Sequence, residues 1–192
     1  MSTGTTASAK LVQEATKACM EQNAASVNLV EYRRGVETLM LLKSGQTISN
    51  SEPSHAAILF DVLFNNAQEK IIIFCKNLNK EVFDAPFLSE SAKKALDRKV
   101  TIQIITQESK PDDSKFIQWL KTEPRVQLLA TTSDIVKKVV FNFTVMDDSA
   151  FRFEEKNHKC EATASMNYPS TARTLAERFN QILMLGTTPV LR

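Results

Sequence analysis

Ile71-Ile-Ile-Phe-Cys75 is an unbroken apolar run. An extended chain turns successive side chains to opposite faces, so a run with no polar interruption predicts a strand covered on both sides. A doubly covered sheet needs flanking helices, and the neighbouring sequence supplies them. Ser54 can cap a helix running to about Gln68, with Ile58, Leu59, Val62 and Leu63 inward. Asp84 to Arg98 reads as a second helix, with Pro86 in its first turn and Leu88, Ala92, Ala95 and Leu96 inward. Val100–Thr106 and Val126–Ala130 are further strands. Between them Asp112 or Asp113 caps a short helix containing Phe116, Ile117 and Leu120.

The pattern then changes to strict alternation. Val139, Phe141, Phe143 and Val145 share one face of an extended chain, and Asn142 and Thr144 the other. Asp147-Asp148-Ser149 is a polar turn, after which Phe151 and Phe153 alternate with Arg152 and Glu154 in a returning strand. A short strand at Ala162–Ser165 follows, then a turn at Tyr168-Pro169 and a last helix from about Ser170 to Leu185. Strands alternating with helices, plus one hairpin, predict an α/β fold with a mixed sheet.

The N-terminal third is less regular. Ala9 to Asn28 suits a helix with Leu11, Val12, Ala15, Ala18 and Cys19 as its apolar stripe, and Leu29–Leu42 fits either a helix or a strand pair. Residues 44–54 are rich in turn formers and read as a linker. The expected organisation is a mainly helical extension with linker over residues 1–50 and an α/β domain over 51–192. The N-terminus lacks a basic start followed by an apolar run, and no stretch approaches the roughly 20 apolar residues of a membrane helix. The three cysteines, Cys19, Cys75 and Cys160, are too widely spaced for a disulfide framework or a close-set ligand pair. A cytoplasmic protein with reduced thiols and no membrane association is expected.

Several chemistries are disfavoured by what is absent. Nucleotide folds place glycines where the backbone meets phosphate. The four glycines here are Gly4, Gly35, Gly45 and Gly186, and the apolar strand continues as Lys76-Asn-Leu-Asn-Lys80. The 24 basic and 22 acidic residues leave a net charge of +2, far from a dedicated duplex-DNA binder. His55 and His158 are the two histidines, and no metal or organic cofactor is implied. Asp147 and Asp148 read first as turn residues.

The order of elements, with Asn77-Leu-Asn79 after the first strand, Asp147-Asp148 at the hairpin and Ala164-Ser165-Met-Asn167 before the last helix, resembles one half of the phospholipase D superfamily. The likeness covers about Ser54 to Gly186 and is closest to small bacterial phospholipase D-like members that lack the catalytic motif. It implies a mixed sheet flanked by helices. In active members a His-x-Lys precedes the hairpin aspartate: the histidine forms a phospho-enzyme and the lysine neutralises phosphate charge. With Asp147 as that aspartate, Val140 and Asn142 occupy the histidine and lysine positions. With Asp148, Phe141 and Phe143 do. Only the aspartate persists. Ser165 and Asn167 match the small polar residues that follow the motif, and would help retain a phosphate-sized groove.

The resemblance therefore implies a non-catalytic binding or assembly domain. It would act as a homodimer or as a subunit of a larger complex, with nucleic-acid processing or defence as a setting. Contact would run through the N-terminal segment or through the surface by which such halves pair. One alternative is a phosphodiesterase with a site rebuilt from His55, His158, Lys159 and Asp147. Another is weak nucleic-acid binding through Lys137, Lys138, Arg152, Lys156 and Lys159, interspersed with Asp147, Asp148, Glu154 and Glu155.

Overall fold

A computed structural model describes residue 13 and residues 29–108, 114–156 and 161–190. The expected helix over Ala9–Asn28, the caps Asp112 and Asp113, and His158, Lys159 and Cys160 lie outside these residues.

Helix α1 (Leu29–Leu41) settles the choice between helix and strand pair in that segment, and buries Tyr32, Val36 and Leu39. The expected linker contains strand β1 (Thr47–Asn50), a correction with a clear cause. Its Ile48 and Asn50 are buried while Thr47 and Ser49 face outward, an alternation too short to stand out among turn-forming residues. Helix α2 (Pro53–Asn66) begins with proline at its first position, and Glu52 rather than Ser54 occupies the capping site. Every residue from His55 to Phe64 is buried. At its far end the Arg98 guanidinium donates to the Phe64 carbonyl at 2.6 Å, satisfying an acceptor that the helix leaves open.

Strand β2 (Lys70–Cys75) leads to a single-turn helix α3 (Lys80–Phe83) and helix α4 (Leu88–Asp97). The helix expected over 84–98 thus begins later, at Leu88, and a separate single turn precedes it. The Asn79 side chain caps α3 by accepting from the Glu81 amide, and Pro86 lies in the break before α4. Strand β3 (Thr101–Thr106), helix α5 (Lys115–Thr122) and strand β4 (Val126–Thr131) follow. The Ser114 hydroxyl caps α5, accepting from the Ile117 amide at 3.0 Å. A 3-10 turn (Val136–Lys138) precedes β5 (Asn142–Met146), β6 (Ala150–Glu154), β7 (Ala162–Ser165), helix α6 (Pro169–Met184) and β8 (Thr187–Pro189). Strand β8 has no counterpart among the expected elements.

One eight-stranded sheet runs β1-β7-β6-β5-β2-β3-β4-β8. Strands β2, β3 and β4 are parallel and the remaining pairs antiparallel. The apolar run in β2 is explained directly. Ile71, Ile73 and Cys75 enter the core beneath α1–α5, while Ile72 and Phe74 enter a second core with Phe143, Val145, Phe151 and the α6 residues Leu175 and Phe179.

Candidate functional site

The sheet has two ends, and the residues expected to share a site divide between them. At one end lies the β5–β6 turn. Asp147 and Asp148 both adopt left-handed backbone angles, φ 50° and 51°, which aspartate tolerates better than most residues. The Asp147 carboxylate accepts three backbone N–H groups, from Gln68 at 2.8 Å and from Glu69 and Lys70 at 2.9 Å each. It thereby ties the hairpin to the α2–β2 connection. Asp148 pairs with the Lys70 ammonium at 3.1 Å.

Strand β7 runs antiparallel to β6, so Ser165 sits opposite Phe151 at this same end. Ser165 is fully buried, and the Asn167 amide donates to the Lys43 carbonyl at 2.9 Å. Ser165 and Asn167 therefore do not join Asn142 in one groove. Their likeness to the post-motif residues is one of local sequence, and the antiparallel pairing of β7 with β6 sets them at the opposite end of the sheet.

The other end is formed by the last residues of β1, β2 and β6 and the first of β5. Across one face the register sets Ile73 beside Thr144 and Thr144 beside Arg152, with Asn142 beside Glu154 in the next row. Arg152 and Glu154 are only 4% and 5% exposed. The Arg152 guanidinium donates to Glu154 at 3.0 Å and to the Asn50 side chain at 3.2 Å, and lies 5.7 Å from the Phe60 ring centre. Arg152, expected on a basic surface, is thus internal and neutralised. The cause is that the polar face of β6 is covered by α2 instead of facing water.

Asn142 accepts the Lys76 amide at 2.9 Å, joining the end of β2 to the start of β5. Cys75 lies beside this network, and burial pushes its thiol pKa far up, with the nearby Glu154 adding to the shift. Such a thiol stays protonated and is a poor nucleophile. Cys75, Asn142, Arg152 and Glu154 line a small cavity of about 80 Å³ together with Phe60, Val82 and Phe83. Asn77 stands half-buried at its mouth.

The remaining predicted residues are elsewhere. His55 is buried against the Tyr32 ring, centres 4.2 Å apart, and neither ring nitrogen has a hydrogen-bond partner among the described residues. Burial lowers its pKa and Glu52 partly opposes the shift. It is a packing residue of the α1–α2 interface, neither solvent-facing nor a cap. Lys137 and Lys138 are exposed on the 3-10 turn, where Lys137 pairs with Asp134 at 3.2 Å. Gln107 holds that turn by donating to the Val136 and Val139 carbonyls at 2.7 Å. No group of three or more His, Cys, Asp or Glu side chains among the described residues could hold a metal ion.

No family model and no curated protein matches the sequence. Solved structures do resemble the chain. Nuc from Salmonella typhimurium, a phospholipase D family member, superposes with a TM-score of 0.54 over 73% of this chain and 94% of its own, at 15% identity. NucT from Helicobacter pylori gives 0.54 over 75% and 99%, at 12% identity. The fold is phospholipase D-like. TrmBL2, an archaeal chromatin protein whose structure shows a novel mode of DNA binding, gives 0.55 at 15% identity over 74% of this chain. The chain spans about half, 54%, of TrmBL2. Within the phospholipase D-like fold, Glu154 lines the cavity and Asn50 holds Arg152 from behind, and neither was expected as a site residue. The available signal was Arg152 and Glu154, two residues apart and so on one face of a strand. No helix among the described residues is long and apolar enough to cross a membrane.

Proposed function

We propose that this chain is a phospholipase D-like domain that binds and assembles without phosphoryl-transfer chemistry. It would serve as a homodimer or as a subunit of a nucleic-acid-related complex. The observation that carries the reading is the buried Arg152–Glu154 pair on β6, paired in register with Asn142, the residue at the position where the resemblance places the cation. A nucleophile must reach the phosphorus and a cation must face its oxygens. Here Asn142 is engaged by the Lys76 amide, and the one internal cation in the described cavity already faces a carboxylate. The position of Val140, 62% exposed, offers only an aliphatic side chain.

The test is hydrolysis of bis(p-nitrophenyl) phosphate and of single- and double-stranded DNA by the purified full chain. The expected result is no turnover above buffer. Turnover that His55→Ala or His158→Ala abolishes would overturn the reading in favour of a rebuilt phosphodiesterase.

A second reading, direct nucleic-acid contact, is favoured by one specific arrangement. The Arg178 guanidinium lies 5.2 Å from the ring centre of the half-buried Phe141, and the exposed Lys137 and Lys138 precede it by four and three residues along the chain. Cations beside an aromatic surface suit single strands, and TrmBL2 offers a DNA-binding relative of the same fold. Binding of a fluorescent oligonucleotide that weakens tenfold or more from 50 to about 200 mM salt supports it. Salt-independent binding refutes an electrostatic contact.

A further inference from the structure

The start of α1, the start of α2 and the α3–α4 junction form an open groove of about 650 Å³. Pro53, Ala57, Ile58 and Phe87 line it with Leu29 and Val30, which are 44% and 71% exposed. A single exposed aliphatic side chain is ordinary, but neighbouring ones on an apolar groove mark a contact surface. The groove is also held in shape. Arg33 of α1 pairs with Asp61 of α2 and lies 5.1 Å from the Phe87 ring centre. An open apolar trough on fixed elements suits a helix laid along it by its apolar face.

The sequence supplies such a segment immediately before the groove. Leu11, Ala15 and Ala18 stand at the i, i+4 and i+7 spacing that this docking uses, with Val12 and Cys19 beside them. Gln13 is helical and exposed, and at about 100° per residue it falls on the face opposite that stripe. The small Ala15 and Ala18 suit a close approach to Ala57 and Ala85 in the groove. Asn23, Ser26 and Asn28 separate the stripe from α1, and these are residue types that reverse a chain.

Tethering decides between occupants. Leu29 and Val30 belong both to the groove and to the first turn of α1, so the segment is attached at the groove itself. A short tether gives an effective concentration on the order of millimolar. A second copy or a separate protein, free in solution, has no such advantage.

We propose that residues 9–28 turn back on their own chain and dock the stripe of Leu11, Ala15 and Cys19 in this groove. The segment then forms part of the domain's surface instead of a free arm, and any partner that uses the groove must displace it. The docking holds whether the domain is a binding unit or an enzyme.

The experiment places a nitroxide at Gln13→Cys in the full-length chain, with Cys19→Ala and Cys160→Ser, and reads the broadening of backbone amide signals by nuclear magnetic resonance. Cys75 is buried and stays unlabelled. Strong broadening is expected at Ser54, Ala57 and Phe87, and none at Leu175 or Phe179 in the core across the sheet. Leu11→Asp on the segment and Val30→Glu on the groove should each reduce the broadening at least threefold. Val30 is exposed in the first turn of α1, where an acidic residue is favoured, so the second variant keeps the fold. No broadening at Ser54, Ala57 and Phe87 overturns the proposal. Broadening that neither substitution changes reflects the tether alone and overturns it too. Nitroxide chains mixed with separate isotope-labelled chains should show no effect, and broadening equal to that within one chain would assign the groove to a second copy instead. In the otherwise unmodified protein, Cys19 should alkylate at least tenfold more slowly than in Leu11→Asp, and equal rates would sink the docking.

Discussion

The two ends of the β5–β6 hairpin both place a carboxylate beside extended backbone, and the two carboxylates do different work. At the turn, Asp147 meets only neutral backbone amides, part of them open to water. At the other end, Glu154 meets a guanidinium away from water, beneath an aromatic helix face. The first arrangement fixes the chain's path. The second leaves a charged pair lining an internal space. The aspartate that the resemblance singles out thus works as an architectural clamp, while the buried charged pair comes from residues that no motif marks.

This contrast can be broken from either side. The largest effect is expected at Glu154. Glu154→Ala leaves Arg152 buried without its partner and should cost about 3–5 kcal/mol in urea unfolding, whereas a paired replacement of Arg152 and Glu154 by leucine should recover most of that loss. A single and a double variant of equal stability would show that the pair is not internal in solution. At the turn, Asp147→Ala should cost about 2–3 kcal/mol, since three amides lose a charged acceptor and alanine enters a left-handed conformation. Asp147→Asn, which keeps an acceptor and tolerates that conformation, should cost about half as much. Neither Asp147 variant should alter the nuclear magnetic resonance signal of the Arg152 Nε–H, and a change there would couple the two ends.

A third, smaller effect concerns His55, packed outside both ends. Its folded pKa lies below the ordinary 6.5 because burial disfavours the charged ring. The unfolded chain therefore takes up a proton first as pH falls. Stability from this group is fully present above about 6.5 and declines below it, by at most about 1.4 kcal/mol per pH unit. His55→Phe should flatten that decline between pH 7 and 5 in denaturant midpoints, and an unchanged slope would place its origin elsewhere. The smallest effect belongs to the exposed Lys70–Asp148 pair beside the clamp. Lys70→Ala should change stability by less than about 1 kcal/mol, and less still in high salt.

Most of the architecture was legible in the residues. The unbroken Ile71–Cys75 run, the alternation through Phe143 and Phe153, and the spacing of Leu175 and Phe179 each correspond to an observed element. What escaped was short or long-range. Strands β1 and β8 have four and three residues and exist because longer neighbours present open edges. The placement of Arg152 in the interior depends on α2 lying over β6, through Phe60, about ninety positions earlier along the chain. Ser165 and Asn167 show the same limit in reverse. Their local pattern matched a motif, but only the pairing of β7 with β6 fixes which end of the sheet they occupy.

The brevity of those two outer strands has a consequence for how molecules of this kind meet. A sheet grows by adding chains along an unpaired edge, and a long flat edge invites runaway growth. Here one border offers four residues and the other three, the latter ending in Pro189, which has no N–H to donate. Strand-by-strand fibre growth is thereby blunted on both sides, and orderly partners are left to approach over the helices or at the open ends of the strands.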